Sequence, residues 1–518
     1  MPHPSKNVFP YALTNPISVI LDKPPESLTR EDLLRLIEEE QIERITFHYT
    51  ALDGQLKELR LPVLSRARAE RLLTDGERVD GSSLFKGLID VGVSDLYVVP
   101  VYRTAFLNPF DSGSLDFVCR FMTREGDFAP FAPDNILRSA AALLEQRTGF
   151  ELYALGELEF FLLSEPDVCA YPTPAQRGYH NAAPFARTGH ILNEIVHHVA
   201  QITGAVKYAH FEVGSIESLD SDLPEIAGKQ GEQAEIEFLP TPVDEAADNL
   251  VLARWIIRTT AWRRGCIATF TPKLEEGFAG SGMHVHMELR REGKNVMTDA
   301  HGALTEAARR LIGGLCAYAP TLTAFGNPVS SAYLRLVPNQ EAPTRVCWSD
   351  LNRSALIRVP LAWSRAENLA SKVNPGQASP LPAPDGRQTV ELRSPDGSAL
   401  IHLLMAGITM AAEWGLTSPE SPQIAESLYV RGNIADLPGA LDKGTELPRS
   451  CVESGRMLLD FRELYERESI FPAAIIDFMA GLLRAEDDED MNRRLMALPP
   501  GARLAETRRI MHKDLHRH

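Results

Sequence analysis

Four short stretches of this chain place long polar side chains at every second position: Gly156-Glu157-Leu158-Glu159-Phe160, Gln233-Ala234-Glu235-Ile236-Glu237-Phe238, Met283-His284-Val285-His286-Met287 and Glu391-Leu392-Arg393. Successive side chains of a β-strand point to opposite faces, so each stretch puts its polar groups on one face and its apolar groups on the other. One such stretch is ordinarily a strand with a wet face. Four of them, rich in Glu, His and Arg rather than Ser, Thr and Lys, constrain the fold far more. Carboxylates that face each other across a sheet repel unless cations lie between them. Hard divalent ions take carboxylate oxygens, and a neutral imidazole shares such a site when the ion is Mg²⁺ or Mn²⁺. The pattern therefore implies a sheet with a carboxylate-rich metal cluster on one face.

Arginines accompany these strands. Arg335, Arg353, Arg358 and Arg393 lie in or beside motif-like segments, and guanidinium forks match carboxylate and phosphate oxygens. The chain has no P-loop and no Gly-x-Gly-x-x-Gly pattern, and Gly280-Ser281-Gly282 fits neither. If a nucleotide binds, its phosphates are held by metal and arginine. His-Glu-x-x-His and Gly-x-Ser-x-Gly are also missing. The balance of 53 Lys+Arg against 70 Asp+Glu gives a net charge of −17, which argues against nucleic acid as the main partner. Six scattered cysteines without a Cys-x-x-Cys pair read as buried, reduced thiols. The absence of a signal-like or spanning apolar run makes soluble and cytoplasmic the expectation, with no membrane partner.

The elements between these strands suggest two unequal parts. Prolines at 2, 4, 10, 16, 24 and 25 predict an extended arm. Thr29 and Asp32 resemble a capping box before a helix. Alternation through Ile45, Phe47 and Tyr49, a turn at Asp53-Gly54, and a second run ending at Leu59 and Leu61 predict a hairpin. Further strands are expected at 96–101 and around Phe117–Phe121, then at 153–163, 235–239, 283–289 and 389–393. Helical periods appear at 134–147, 189–203, 244–264, 303–318 and 456–484. The acidic run 486–490 and the basic tail after it read as solvated surface. His197-His198 reads as surface and Asp80-Gly81-Ser82-Ser83 as a turn.

Five motifs then occur in one order: Asp80-Gly81-Ser82-Ser83, Gly156-Glu157-Leu158-Glu159-Phe160, Gly280-Ser281-Gly282-Met283-His284-Val285-His286, Asn352-Arg353-Ser354-Ala355 and Glu391-Leu392-Arg393-Ser394-Pro395-Asp396. Together they resemble the glutamine synthetases of the bacterial type I class, over roughly residues 30–485. The resemblance implies an α+β fold: a small N-terminal β-grasp domain and a large catalytic domain whose antiparallel sheet forms an open half-barrel flanked by helices. The corresponding division is an arm at 1–28, a β-grasp domain at 29–128 and a catalytic domain at 129–518. It also implies stacked rings of subunits, usually a dodecamer, with each active site between neighbours.

Position by position, the resemblance makes Glu159, Glu212 and Glu235 ligands of a metal near the amine site. Glu157, His284 and Glu391 become ligands of a second metal at the ATP phosphates. Glu159, Gly280, His284, Arg335 and Arg393 correspond to contacts with the amino-acid substrate. Arg353 and Arg358 correspond to phosphate contacts, and His286 to a position near the nucleotide. Asp80 of a neighbouring subunit, Ser83, Tyr179, Glu212 and Glu341 match the pocket that binds and deprotonates ammonium, with Glu341 on a closing flap. The activity implied is ATP-dependent joining of glutamate to ammonia through a γ-glutamyl phosphate, with two or more Mg²⁺ or Mn²⁺ ions. The alternatives are a relative that uses an organic amine (a polyamine, ethanolamine or methylamine) and a non-catalytic homologue. Asp80, Tyr179 and Glu341 favour ammonium. Ala279 in place of the usual asparagine, and an insertion at Ile216–Gly231 read as a loop facing the site, favour an organic amine. Thr389 replaces a usual basic residue, with Arg387 close by.

Overall fold

A computed structural model describes residues 11–89, 94–166, 171–337, 343–362, 369–376, 386–432 and 446–517. Two sheets organise the chain. The first has six strands: β1 (Arg44–Thr50), β2 (Leu56–Pro62), β3 (Glu77–Asp80), β4 (Asp95–Pro100), β5 (Phe106–Leu107) and β6 (Ser114–Met122). Their order is β2-β1-β6-β4-β3, with β5 on β6. The β1–β2 hairpin is antiparallel, whereas β1 and β6 run parallel. Gly54 turns the hairpin at φ +79°, a left-handed conformation that favours glycine. The helix Arg30–Glu39 opens on the capping box: Thr29 Oγ1 accepts from Asp32 N, and Asp32 Oδ2 accepts from Thr29 N at 3.0 Å.

The second sheet has ten strands: β7 (Glu151–Ser164), β8 (Val206–Ile216), β9 (Gln230–Phe238), β10 (Thr241–Pro242), β11 (Ile267–Thr269), β12 (Met283–Arg291), β13 (Lys294–Asn295), β14 (Trp348–Asp350), β15 (Ile357–Val359) and β16 (Val390–Leu392). It curls into a half-barrel in the order β14-β15-β16-β12-β7-β9-β8. Its pairings are antiparallel except between β14 and β15. One face carries Leu158, Phe160, Ala234, Ile236, Met283, Val285, Val390 and Leu392, all fully buried. Helices Pro133–Thr148, Val243–Arg263, Glu306–Gly326 and Ile401–Thr417 form the layer behind it. The fit is close: a Cβ on Gly156 of β7 would lie 2.8 Å from Leu250 of the second of these helices.

Several expectations change. The described part of the arm is not simply extended, because Pro16–Leu21 is a helix capped by Asn15, whose Oδ1 accepts from Ile17 N at 2.9 Å. The helix expected at 456–484 is broken into Cys451–Asp460, Glu463–Glu466 and Ala473–Arg484. Pro472 has no N–H to continue a helix, so the third piece starts after it. Glu306–Gly326 outruns its expected end and passes through Pro320. Helix Ile401–Thr417 was not anticipated, because it is buried on nearly every side and shows no polar stripe.

The acidic run is also not simply solvated. Asp488 is buried and accepts from the N–H groups of Cys451 and Val452, capping that helix. Glu486 accepts from Ser330, Lys513 and Arg517. The tail folds back as the helix Pro500–His512, with Met511, His512 and Leu515 buried. His198 is half-buried against Phe110, while His197 is exposed. The 216–231 insertion does not line the active-site cavity; its Leu219 and Ile226 pack with Leu515, Leu274, Phe161 and Leu163.

Candidate active site

The strand register brings the period-two residues onto the face opposite the helices. Glu157 lies across from His284 on β12 and Glu237 on β9. Glu159 lies across from Glu235, which in turn lies across from His210 on β8. His286 and Arg358 flank Glu391 of β16. These side chains line a cavity of about 980 Å³.

On one side of the cavity, the Glu157 carboxylate lies 2.8 Å from His284 Nδ1 and 2.9 Å from His286 Nε2. Glu391 accepts from Arg358 Nη1 at 2.8 Å and lies 3.5 Å from His284 and 3.4 Å from Arg393 Nε. Arg393 donates to the carbonyl of Arg353 at 2.7 Å, tying β16 to the Asn-Arg-Ser-Ala turn. Burial alone would raise the pKa values of Glu157 and Glu391, but the neighbouring His286 and His284 hold both below the usual range. Burial pulls His286 down, and Glu157 more than reverses that.

The other side is anionic. Glu159 accepts from Gly282 N at 2.8 Å and from Gln233 Nε2 at 3.2 Å, and Gln233 also donates to the carbonyl of Gly280. Gly282 leaves room for the site side chains, because a Cβ there would sit 2.7 Å from Arg335 Nη2 and 3.1 Å from His284 Nε2 and would displace the Arg335 guanidinium. Burial, reinforced by Glu235 and Glu212, pushes Glu159 well above the carboxylate range. Burial and Glu235 push Glu212 up to about 7. His210 sits between Glu235 (3.2 Å) and Glu212 (3.6 Å); burial lowers its pKa, but the Glu235 carboxylate raises it overall. Tyr179 packs edge-on against His210.

Among the described residues, three groups have ligand atoms within 4.8 Å of one another: Glu157, His284 and Glu391; Glu157, Glu237 and His286; and His210, Glu212 and Glu235. The donors are carboxylate oxygens and imidazole nitrogens, and the mutual repulsion that raises the pKa values of Glu159 and Glu212 is what divalent charge would relieve. The residues present fit Mg²⁺ or Mn²⁺.

Thirteen of the sixteen residues anticipated from the sequence line this cavity: Glu157, Glu159, Tyr179, Glu212, Glu235, Gly280, His284, His286, Arg335, Arg353, Arg358, Glu391 and Arg393. Asp80 and Ser83 are elsewhere. Asp80 caps the short helix Gly81–Leu84, accepting from Ser82 N and from the hydroxyls of Ser82 and Ser83, which lower its pKa to about 2. Glu341 lies outside the described residues. Sequence reasoning missed His210 and Lys207, and assigned no role to Gln233 or Glu237. His210-Phe211-Glu212 carries the same period-two signal, but the pair stands in a strand with little other alternation. Lys207 donates to Glu237 at 2.6 Å, a contact made only by the β8–β9 pairing.

The comparisons with known proteins agree with this geometry. Residues 41–124 match the glutamine synthetase β-grasp domain family, and residues 131–489 match the glutamine synthetase catalytic domain family. The glutamine synthetase of Thermotoga maritima is 32% identical over 437 residues, covering 81% of this chain and 90% of that protein. That of Mycobacterium bovis is 28% identical, covering 90% and 97%. A solved GmaS–ADP complex superposes with a TM-score of 0.69 at 21% identity, covering 91% of this chain and 98% of that one. A Plasmodium falciparum glutamine synthetase superposes with a TM-score of 0.71 at 20% identity, covering 92% and 98%.

The family matches, on a half-barrel with carboxylates and arginines on its open face, make this an ATP-dependent ligase that forms a C–N bond. The chain belongs to the glutamine synthetase family. Among the described residues, no helix is long and apolar enough to cross a membrane.

Proposed function

We propose that this protein joins glutamate to ammonia through a γ-glutamyl phosphate. The observation that carries the reading is one cavity in which three groups of carboxylates and imidazoles stand beside Arg335, Arg353, Arg358 and Arg393. Glu157, His284 and Glu391 would hold one divalent ion, and Glu159, Glu212 and Glu235 another, although the group that gathers around Glu212 and Glu235 has His210 and not Glu159 as its third member; when bound, the ions would neutralise the charge on the transferring phosphoryl group.

The γ-carboxylate of glutamate attacks the terminal phosphorus of ATP and ADP leaves, because a free carboxylate is too poor an electrophile for an amine. Arg353 and Arg358 hold the phosphate oxygens, His286 borders the nucleotide, and Arg335, Arg393 and the Gly280 backbone orient the amino acid. The amine then attacks the acyl carbon and inorganic phosphate leaves. Only a neutral amine is nucleophilic, so a carboxylate pocket must take its proton. We assign that pocket to Glu212, Tyr179 and Glu341, with Ser83 and Asp80 from a neighbouring subunit. A ring assembly, in a dodecamer, and a cytoplasmic location complete the proposal, with the division at 28/29 and 128/129.

An organic amine as acceptor is the second reading, and Ala279 at the cavity wall favours it. The insertion no longer does, because it packs against the C-terminal tail. Retention of Tyr179 and Glu212 beside the cavity tips the balance to ammonium. The test is phosphate release from ATP with glutamate and a panel of amines, in Mg²⁺ or Mn²⁺. Release with ammonium is expected; release only with an organic amine would move the assignment to the second reading. An assembled protein that binds ATP but releases no phosphate with any pair would be non-catalytic.

A further inference from the structure

The C-terminal tail lies beyond both family matches, the later of which ends at residue 489, yet it touches three segments that lead into the cavity. The first is 269–278, which runs into the Gly280 turn. Thr269 Oγ1 donates to the carbonyl of Leu515 at 3.0 Å, and Thr271 Oγ1 to that of Met511 at 2.9 Å. His512 Nε2 lies 2.9 Å from the carbonyl of Leu274, and Arg508 Nε donates to both oxygens of buried Glu275 at 2.9 and 3.1 Å. The same segment holds the turn itself, since Ser281 N donates to the carbonyl of Pro272 at 3.0 Å.

The second segment is the insertion that joins the strands of Glu212 and Glu235. Ser221 Oγ lies 2.9 Å from His512 Nδ1, Arg508 pairs with Asp220, and His516 Nε2 lies 3.1 Å from Glu225. Leu515 is buried in the apolar cluster beneath this loop. The third leads to Arg335: Lys513 and Arg517 bond to Glu486, which also accepts from Ser330 N and Oγ, two residues before the short helix Ala332–Arg335. Strands β12 and β16, which carry His284, His286 and Glu391, are not among the tail's partners in these bonds.

We propose that residues 508–517 are a positioning element for the carboxylate-and-amine half of the site and leave the nucleotide half alone. Arg508 and His512 are its main positioning residues: each links segment 269–278 to the insertion. The inference rests on the reading of the Gly280 and Arg335 side as the amino-acid subsite, but the mechanical claim can be read without turnover.

The test compares wild type with Arg508→Ala, Arg508→Lys and the milder Ser221→Ala, all as full-length assembled protein. In hydrogen–deuterium exchange, Arg508→Ala is expected to speed exchange in 217–229 and 271–282 and leave 285–291 unchanged. In kinetics, KM for glutamate rises roughly 10-fold while KM for ATP stays within about twofold, and Arg508→Lys recovers part of the loss. Ser221→Ala gives the same pattern more weakly, and decides the matter if Arg508→Ala does not assemble. Lower thermal stability with no local change in exchange, or equal changes in both KM values, overturns the proposal. If wild type turns over no substrate pair, the reading of the reaction fails, while the exchange experiment still decides the role of the tail.

Discussion

At the scale of single residues, Glu391 has the most demanding position. It is 1% exposed and shares its two oxygens among His284, Arg358 and Arg393. Removing it leaves two guanidinium groups and an imidazole without their common anion, and removes a proposed metal ligand. Glu391→Ala is expected to lower phosphate release by at least ~10²-fold while the protein still assembles. Sedimentation velocity and a phosphate assay check both halves, and unchanged activity would refute the ligand assignment. Asp32 makes a different prediction. Burial raises its pKa, but hydrogen bonds from Lys23 and Thr29 dominate and hold it at about 2. A folded pKa below the unfolded value of about 3.9 stabilises the protein above that pH, and the contribution disappears as pH falls toward 2. Asp32→Asn is therefore expected to narrow its stability gap to wild type as pH falls through this window. Denaturant titrations at pH 5 and pH 2.5 measure the gap.

At the scale of elements, two helices behind the half-barrel cross at glycine. A Cβ on Gly314 of helix Glu306–Gly326 would lie 2.0 Å from the carbonyl oxygen of Ala411, on helix Ile401–Thr417. Backbone on both sides leaves nothing flexible to move. Gly314→Ala is expected to cost about 1–3 kcal/mol or more by overpacking. Gly481→Ala is the control: nothing lies within 4 Å of its Cβ, and it sits inside helix Ala473–Arg484. There alanine should stabilise by roughly 0.5–1 kcal/mol through helix propensity. Thermal unfolding of both variants should therefore shift in opposite directions. A common shift would mean that the crossing is looser than the distances indicate.

At the scale of the whole molecule, Asp80 and Ser83 stay outside the cavity of their own chain, with Asp80 exposed. In the proposed ring, Asp80 serves a neighbour's site. Asp80→Ala and Glu391→Ala, each inactive or nearly so alone, should then regain partial activity when dissociated and reassembled together. A subunit with intact Glu391 can there receive Asp80 from a neighbour. Mixed assemblies as inactive as their parents would place Asp80 in service of its own chain or outside catalysis.

Much was legible before any coordinates, for reasons specific to each element. Period-two alternation requires a strand with two unlike faces, so Glu157 with Glu159, His284 with His286, and Glu391 with Arg393 could each be assigned to the polar face of its own strand from spacing alone. The Thr29–Asp32 box and the Asp53-Gly54 turn are local chemistry and were equally readable. Helix Ile401–Thr417 was not, because a helix buried on nearly all sides has no amphipathic period. Nor were the fates of the insertion, the acidic run and the basic tail. Asp220, Asp488 and Arg508 look like solvated charge in sequence, since their partners lie 288, 37 and 233 positions away. His210 and Lys207 entered the site through the β8–β9 register, which depends on pairing between strands. The sequence alone determined which residues could share a face, because strand geometry repeats within a few residues. Only the tertiary structure decided which faces meet, what a distant tail holds in place, and where two carboxylates come close enough to shift each other's protons.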